Sequence, residues 1–82
     1  MIEILNRREN AILRAVEAGH AELLGGVHPD LLIEGRFCSD QGTVHRLAEA
    51  GLIAGTTPVA AGHTVPASLT PAARHLLTRQ AA

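Results

Sequence analysis

The chain has 82 residues, of which 46% are hydrophobic, and its formal net charge is −1 with histidine neutral. This length accommodates one small domain, so we predict a single domain over residues 1–82. A near-neutral chain lacks the basic balance typical of nucleic-acid-binding proteins, so any such surface must come from a local cluster. No apolar stretch approaches the ~18 residues of a membrane span. No signal region opens the chain either, so we expect a cytoplasmic protein that does not enter membranes.

The composition offers little for metal or catalytic chemistry. Cys38 is the lone cysteine, which excludes an internal disulfide and a zinc site built from cysteines. The five histidines show no metal-ligand spacing, and Ser39 has no histidine and aspartate at a spacing typical of a nucleophile's partners. We therefore predict no metal, no cofactor and no enzyme activity.

The first predicted element is a helix from Asn6 to Ala18. Ile12 and Val16 share one face at helical spacing, and Asn6 followed by Glu9 matches a capping box. Gly19 suits the residue after a helix end. The apolar segment 21–24, which precedes two glycines, predicts a short strand, with one helical turn as the alternative.

Two more helices are predicted next. Pro29 suits the first position of a helix and Asp30 suits its positive end, so we expect a helix that ends at Gly35. The following helix, over residues 39–50, has Ser39 as its expected N-cap, with a core-facing stripe that begins at Val44 and Leu47.

The rest of the chain predicts a hairpin and a last helix. Segments 52–56 and 64–69 can form strands, and residues 54–69 contain no Asp, Glu, Lys or Arg. Pro66 is expected to place its strand at a sheet edge, because proline lacks the amide hydrogen that an inner strand donates. Thr70 and Pro71 match the N-cap and first position of the last helix.

Two short strings carry a family resemblance. Residues 43–53 read TVHRLAEAGLI and residues 66–74 read PASLTPAAR. With the predicted order of elements, they resemble the winged helix-turn-helix superfamily of small bacterial transcription regulators. In that family a reading helix ends in R-L-x-x-x-G-L-I, a wing follows, and L-T-x-x-G/A-R opens the last helix. The resemblance implies a mainly α fold with a small β-hairpin: three to four helices and a two- or three-stranded wing sheet.

The same resemblance implies sequence-specific binding of double-stranded DNA in transcription regulation, with helix 39–50 as the reading helix. At 100° per residue, the side opposite the core stripe carries Gly42, His45, Arg46 and Glu49. Arg46 can bind guanine or phosphate, and Ser39 and Gln41 can donate to phosphate. The residues expected at DNA are Arg36, Ser39, Gln41, Gly42, Thr43, His45, Arg46, Glu49 and His63.

A second interpretation stays open, in which the domain binds proteins and does not bind DNA. The predicted wing carries His63 but no arginine or lysine, and the net charge is near zero, which both favour this alternative. Since winged helix regulators are often dimers on palindromic sites, a homodimer is also expected as a partner state, with its contact on the apolar outer helices, over residues 2–16 and 72–77.

Overall fold

The computed structural model describes residues 4–80 of the chain. The three helices in this range are α1 (Arg7–Glu17), α2 (Gln41–Glu49) and α3 (Pro71–Gln80). The five strands are β1 (Ala21–Leu24), β2 (Asp30–Ile33), β3 (Arg36–Phe37), β4 (Ile53–Gly55) and β5 (Thr64–Leu69). Between residues 4 and 80, no helix combines the length and the apolar character needed to cross a membrane.

The strands form one antiparallel sheet in the order β3-β2-β1-β5-β4. The fold is therefore a small α+β fold, and the predicted winged helix-turn-helix, mainly α with a two- or three-stranded wing sheet, is wrong. The predicted hairpin of 52–56 and 64–69 exists as β4 and β5. It is part of a larger sheet because β5 also pairs with β1.

The error lies in residues 29–35, which form a strand and a turn where a second helix was predicted. All four residues of β2 pair with β1, from Ala21 opposite Ile33 to Leu24 opposite Asp30. Glu34 and Gly35 both have positive φ, 52° and 79°, and join Ile33 to its pairing partner Arg36. Such a two-residue turn matches the right-handed twist of paired strands, so it closes a hairpin.

Local capping signals position α1 and α2. The Asn6 side chain accepts from the Glu9 amide at 2.8 Å, and the Glu9 carboxylate accepts from the Asn6 amide at 2.8 Å, which confirms the predicted capping box. Helix α2 is capped by Asp40, not by the predicted Ser39. Gly51, at φ 74°, follows the end of α2.

The position of Pro66 also differs from the prediction. Its strand, β5, lies inside the sheet and not at an edge. Residues 64–66 of β5 pair with β1, whereas residues 67–69 pair with β4. The Pro66 carbonyl accepts from the Thr56 amide at 3.0 Å, one residue beyond the last pair of β4 and β5. Opposite residues of such an antiparallel pair exchange both bonds, so the donor that Pro66 lacks would face Thr56, one residue beyond β4, and no bond to β1 is lost.

All three helices pack on one face of the sheet. The largest fully buried side chains come from every layer: Leu13, Leu31, Val44, Leu47 and Leu77. The helices' apolar sides, on which the homodimer prediction rested, lie within this core at Ile12, Val16, Ala73, Leu76 and Leu77. Ile2, also part of that prediction, lies outside the described residues. The homodimer stays a prediction.

Among residues 4–80, no helix covers the opposite face of the sheet. In β1, Ala21 and Leu23 are buried while Glu22 between them is exposed, so Glu22 marks this second face. Its cross-strand neighbours Leu32 and Pro66 share the same face, and Phe37 continues the row opposite Leu32. The Phe37 residue is 61% exposed. We call this surface the open sheet face.

Candidate nucleic-acid interface

An ion pair joins the N-terminal ends of α1 and α2. Nη1 of Arg8 donates to Oδ2 of Asp40 at 2.9 Å, although the two residues lie 32 positions apart in the sequence. The Arg8 side chain remains 69% exposed. The two helix ends therefore lie side by side at one surface.

Asp40 also caps α2. Its carboxylate accepts from the Thr43 hydroxyl at 2.6 Å and from the Thr43 amide at 3.1 Å. The Thr43 hydroxyl, the Arg8 guanidinium and the Thr43 amide together lower the pKa of Asp40 from 3.8 to about 2. The carboxylate is therefore ionised at neutral pH and holds Arg8 in place.

Arg46 lies one helical turn further along α2. Its Nη2 donates to the Thr43 hydroxyl at 3.2 Å and lies 3.8 Å from Oε2 of the buried Glu9 carboxylate. The Arg46 side chain is still 59% exposed. Glu9 and Thr43 thus orient the guanidinium while much of it remains open to a ligand.

These residues surround a shallow pocket of about 520 Å³, which we call the arginine pocket. Its lining consists of Asn6, Arg7, Arg8, Asp40, Gly42, Thr43 and Arg46. Three arginines meet the N-terminal ends of two helices, where backbone amides favour negative charge. Gly42 is exposed, so the backbone at the start of α2 can approach a bound anion closely. Because Asp40 and Glu9 lie against Arg8 and Arg46, the pocket keeps only a small positive charge to attract phosphate.

Three predicted DNA-contact residues meet in this pocket: Gly42, Thr43 and Arg46. Thr43 is buried, so it supports Asp40 and Arg46 and does not itself face solvent. Sequence reasoning missed Arg7 and Arg8. The signal available for them was two adjacent arginines directly after the N-cap Asn6.

Gln41 has a structural role. Its side chain accepts from the Leu31 amide at 2.9 Å and donates to the carbonyls of Leu31 and Cys38 at 3.0 and 2.8 Å. These bonds occupy the amide group that was predicted to reach phosphate. Ser39 is exposed just before the cap of α2, and Arg36 is exposed on the edge strand β3.

The remaining predicted residues lie elsewhere. His45 and Glu49 line a different pocket, between α2 and two loops, and Nε2 of His45 lies 2.9 Å from Oδ1 of Asp30. His63 is exposed at the end of the loop before β5 and lines neither pocket. The proposed wing residue is therefore not part of the arginine pocket.

Metal ligands are not clustered in the described part of the chain, where no group of three or more His, Cys, Asp or Glu side chains could hold an ion. Cys38 is a free, half-buried thiol that packs against the core. Comparison of the chain with protein families, with curated proteins and with solved structures finds no match.

Proposed function

We propose that this protein binds double-stranded DNA through the arginine pocket and the exposed side of α2. The observation that carries the proposal is the convergence of three of the chain's seven arginines on the adjoining ends of two helices. Guanidinium groups bind phosphate oxygens in pairs, and helix N-termini add backbone donors. The same groups fix a helix on the DNA backbone in known complexes.

Helix α2 is the element that reads base edges in this proposal. Its nine residues span about 13 Å, a length that the major groove admits. Arg46 and Glu49 are both exposed on α2. Arginine pairs with guanine, and a glutamate accepts from the amino group of cytosine, so both support sequence preference.

Electrostatics limits the strength of this binding. Since the net charge is −1, long-range attraction is weak and affinity depends on the local arginines. With Arg46 on a base edge, two phosphate contacts remain, from Arg7 and Arg8, and they give a slope of roughly −2 when the logarithm of affinity is plotted against that of salt concentration. A measured slope near this value supports contact through the arginine pocket.

The test starts with selection of bound duplexes from a random library, followed by affinity measurements on the selected duplex. Arg46→Ala is expected to weaken specific binding by about 1–3 kcal/mol. Arg7→Ala is expected to weaken binding on all duplexes and to make the salt slope shallower by about 1. Arg74→Ala, an exposed arginine on α3 that lines neither pocket, is the control with the same charge change. Equal losses in all three variants, or no duplex selected, would contradict the proposal.

A second candidate function is protein interaction through the open sheet face. Phe37 is largely exposed there and lies beside Leu32. It is the chain's one phenylalanine, and the chain has no Tyr or Trp. A second copy of this chain is the partner to test first, because this apolar row is available on every copy. Light scattering of the wild type and of Phe37→Ser over a range of concentrations decides it. A dimer in the wild type and a monomer in the variant support self-association through this face, and a monomer in both contradicts it.

A further inference from the structure

A second concavity, larger than the arginine pocket, shares no lining residue with it. It has a volume of about 680 Å³ and opens between α2, the loop that joins β1 to β2, and the loop that follows β4. We call it the apolar pocket. Its volume lies in the range of ~300–1,000 Å³ found for small-molecule sites.

The floor of the apolar pocket is continuous with the hydrophobic core. Leu23 of β1 and Ile53 of β4 belong to the core and also line the pocket. At its edge, the Val27 residue is 95% exposed, so a large aliphatic side chain faces water. An apolar ligand would cover Val27 and bury hydrocarbon against the floor, which is favourable in water.

Glu49 is the one carboxylate among the described residues that line the pocket, whose other polar side chains are histidines and threonines. Glu49 on α2 supplies a carboxylate, and Asp30 holds Nε2 of His45 at 2.9 Å next to it. A neutral imidazole that donates from Nε2 has Nδ1 as an acceptor. The His28 ring packs against that of His45, with the ring centroids 5.4 Å apart. Among the described residues, no arginine lines this pocket.

From this combination we infer that the apolar pocket binds a small organic cation: a protonated amine carried by an apolar body. The body lies against Leu23, Ile53 and Val27, and Glu49 is the charge partner of the ammonium group. A carboxylate ligand of the same shape meets the like charge of Glu49 and no arginine of the described residues, so it binds more weakly. The inference does not depend on DNA binding.

Two naphthalene probes of matched size and opposite charge test this inference: protonated 1-naphthylmethylamine and 1-naphthoate. The chain contains no Trp and no Tyr, so naphthalene fluorescence can be followed without interference from the protein. We expect saturable binding of the amine, with a dissociation constant below about 1 mM, and at least about tenfold weaker binding of the carboxylate. Amide shifts in two-dimensional NMR should locate the bound amine at α2 and the two loops.

Three variants separate the charge from the apolar contacts. Glu49→Gln keeps the side-chain shape and should reduce the preference for the amine to about threefold or less. Val27→Ser, at a fully exposed position, should weaken both probes to a similar extent. Glu22→Gln, on the open sheet face, is the control for loss of one negative charge and should leave both affinities unchanged.

Several outcomes would overturn the inference. These are the absence of saturable amine binding, equal affinity for the two probes, or an amine affinity that Glu49→Gln leaves unchanged. NMR shifts confined to the open sheet face would overturn it as well. Circular dichroism on each variant establishes that the compared proteins are folded.

Discussion

Gln41 pairs with Leu31 as a neighbouring strand would. The side chain of Gln41 accepts from the Leu31 amide at 2.9 Å and donates to the Leu31 carbonyl at 3.0 Å. The first residue of α2 thus extends the hydrogen bonding of β2 beyond the two-residue strand β3. This connection fixes the start of α2 against the sheet.

Loss of this connection should destabilise the fold. Gln41→Met keeps the length of the side chain but leaves the amide of Leu31 without its partner in a partly buried position. We expect a loss of about 1–3 kcal/mol in the free energy of unfolding, measured by urea denaturation. Ser39→Ala, an exposed neighbour, should change stability by less than about 0.5 kcal/mol. Comparable stability of the two variants would show that the Gln41 bonds contribute little.

The Asp40 cap should produce a specific dependence of stability on pH. The pKa of Asp40 is lowered from 3.8 to about 2 in the folded protein, so the folded state binds the proton less tightly than the unfolded state does. Its stabilising contribution is therefore complete above about pH 5 and is lost as pH falls through the folded pKa of about 2.

The measurement is the difference in melting temperature between the wild type and Asp40→Asn from pH 6 to pH 2. Asparagine still caps a helix, so the variant should fold. We expect the wild type to be more stable at pH 6 and the difference to shrink towards pH 2. Glu22→Gln should not reproduce this trend. A difference that stays constant across the range would exclude the role assigned to the Asp40 charge.

Two adjacent glycines should differ sharply in their tolerance of a side chain. A Cβ on Gly25 would collide with the backbone carbonyl of Ala60, whereas a Cβ on Gly26 would meet nothing within 4 Å. The amide of Gly25 also donates to the His63 carbonyl at 2.9 Å. This bond holds the loop between β1 and β2 against the loop between β4 and β5.

Gly25→Ala should therefore cost about 1–3 kcal/mol in unfolding free energy, because backbone must move to admit the methyl group. Gly26→Ala is the matched control and should be close to neutral. Chemical denaturation of both variants tests the contact between the loops. Equal stability of the two would mean that the loops do not approach as the structure has them.

The corrected assignment of residues 30–33 predicts a contrast between two leucines. Leu31 is fully buried and Leu32 points to the open sheet face, as the alternation of a strand requires. Leu31→Ala should cost about 2–5 kcal/mol and Leu32→Ala clearly less. Similar losses at both positions would favour an element in which the two side chains are equally buried.

Local patterns predicted much of the secondary structure. The capping box of Asn6 and Glu9 and the Thr70–Pro71 start of α3 act within four residues, so the sequence carries them directly. The run Leu31-Leu32-Ile33 was predicted as part of a helix, although three consecutive apolar residues fit a strand equally well. Whether this run forms a helix or a strand depends on β1, which pairs with all of β2.

The residues of the candidate site also fall into two groups: those that local patterns predicted and those that depend on distant contacts. Arg46 was predicted from its place on α2, opposite the core stripe of that helix. Arg8 was missed because it reaches the site through Asp40, 32 residues away, and Gln41 was misjudged because its partners on Leu31 and Cys38 lie in other elements.

By itself, the sequence determined the caps of α1 and α3, the core-facing sides of these helices and of α2, and the two strands of the last hairpin, since these depend on neighbours within a turn or two. Only the tertiary structure decided that β2 is a strand, that β5 lies between β1 and β4, and that Arg8 meets Arg46 at one pocket. The physical reason is that strand pairing and charge clustering depend on contacts between distant residues. Those contacts form when helices and sheet bury a common core.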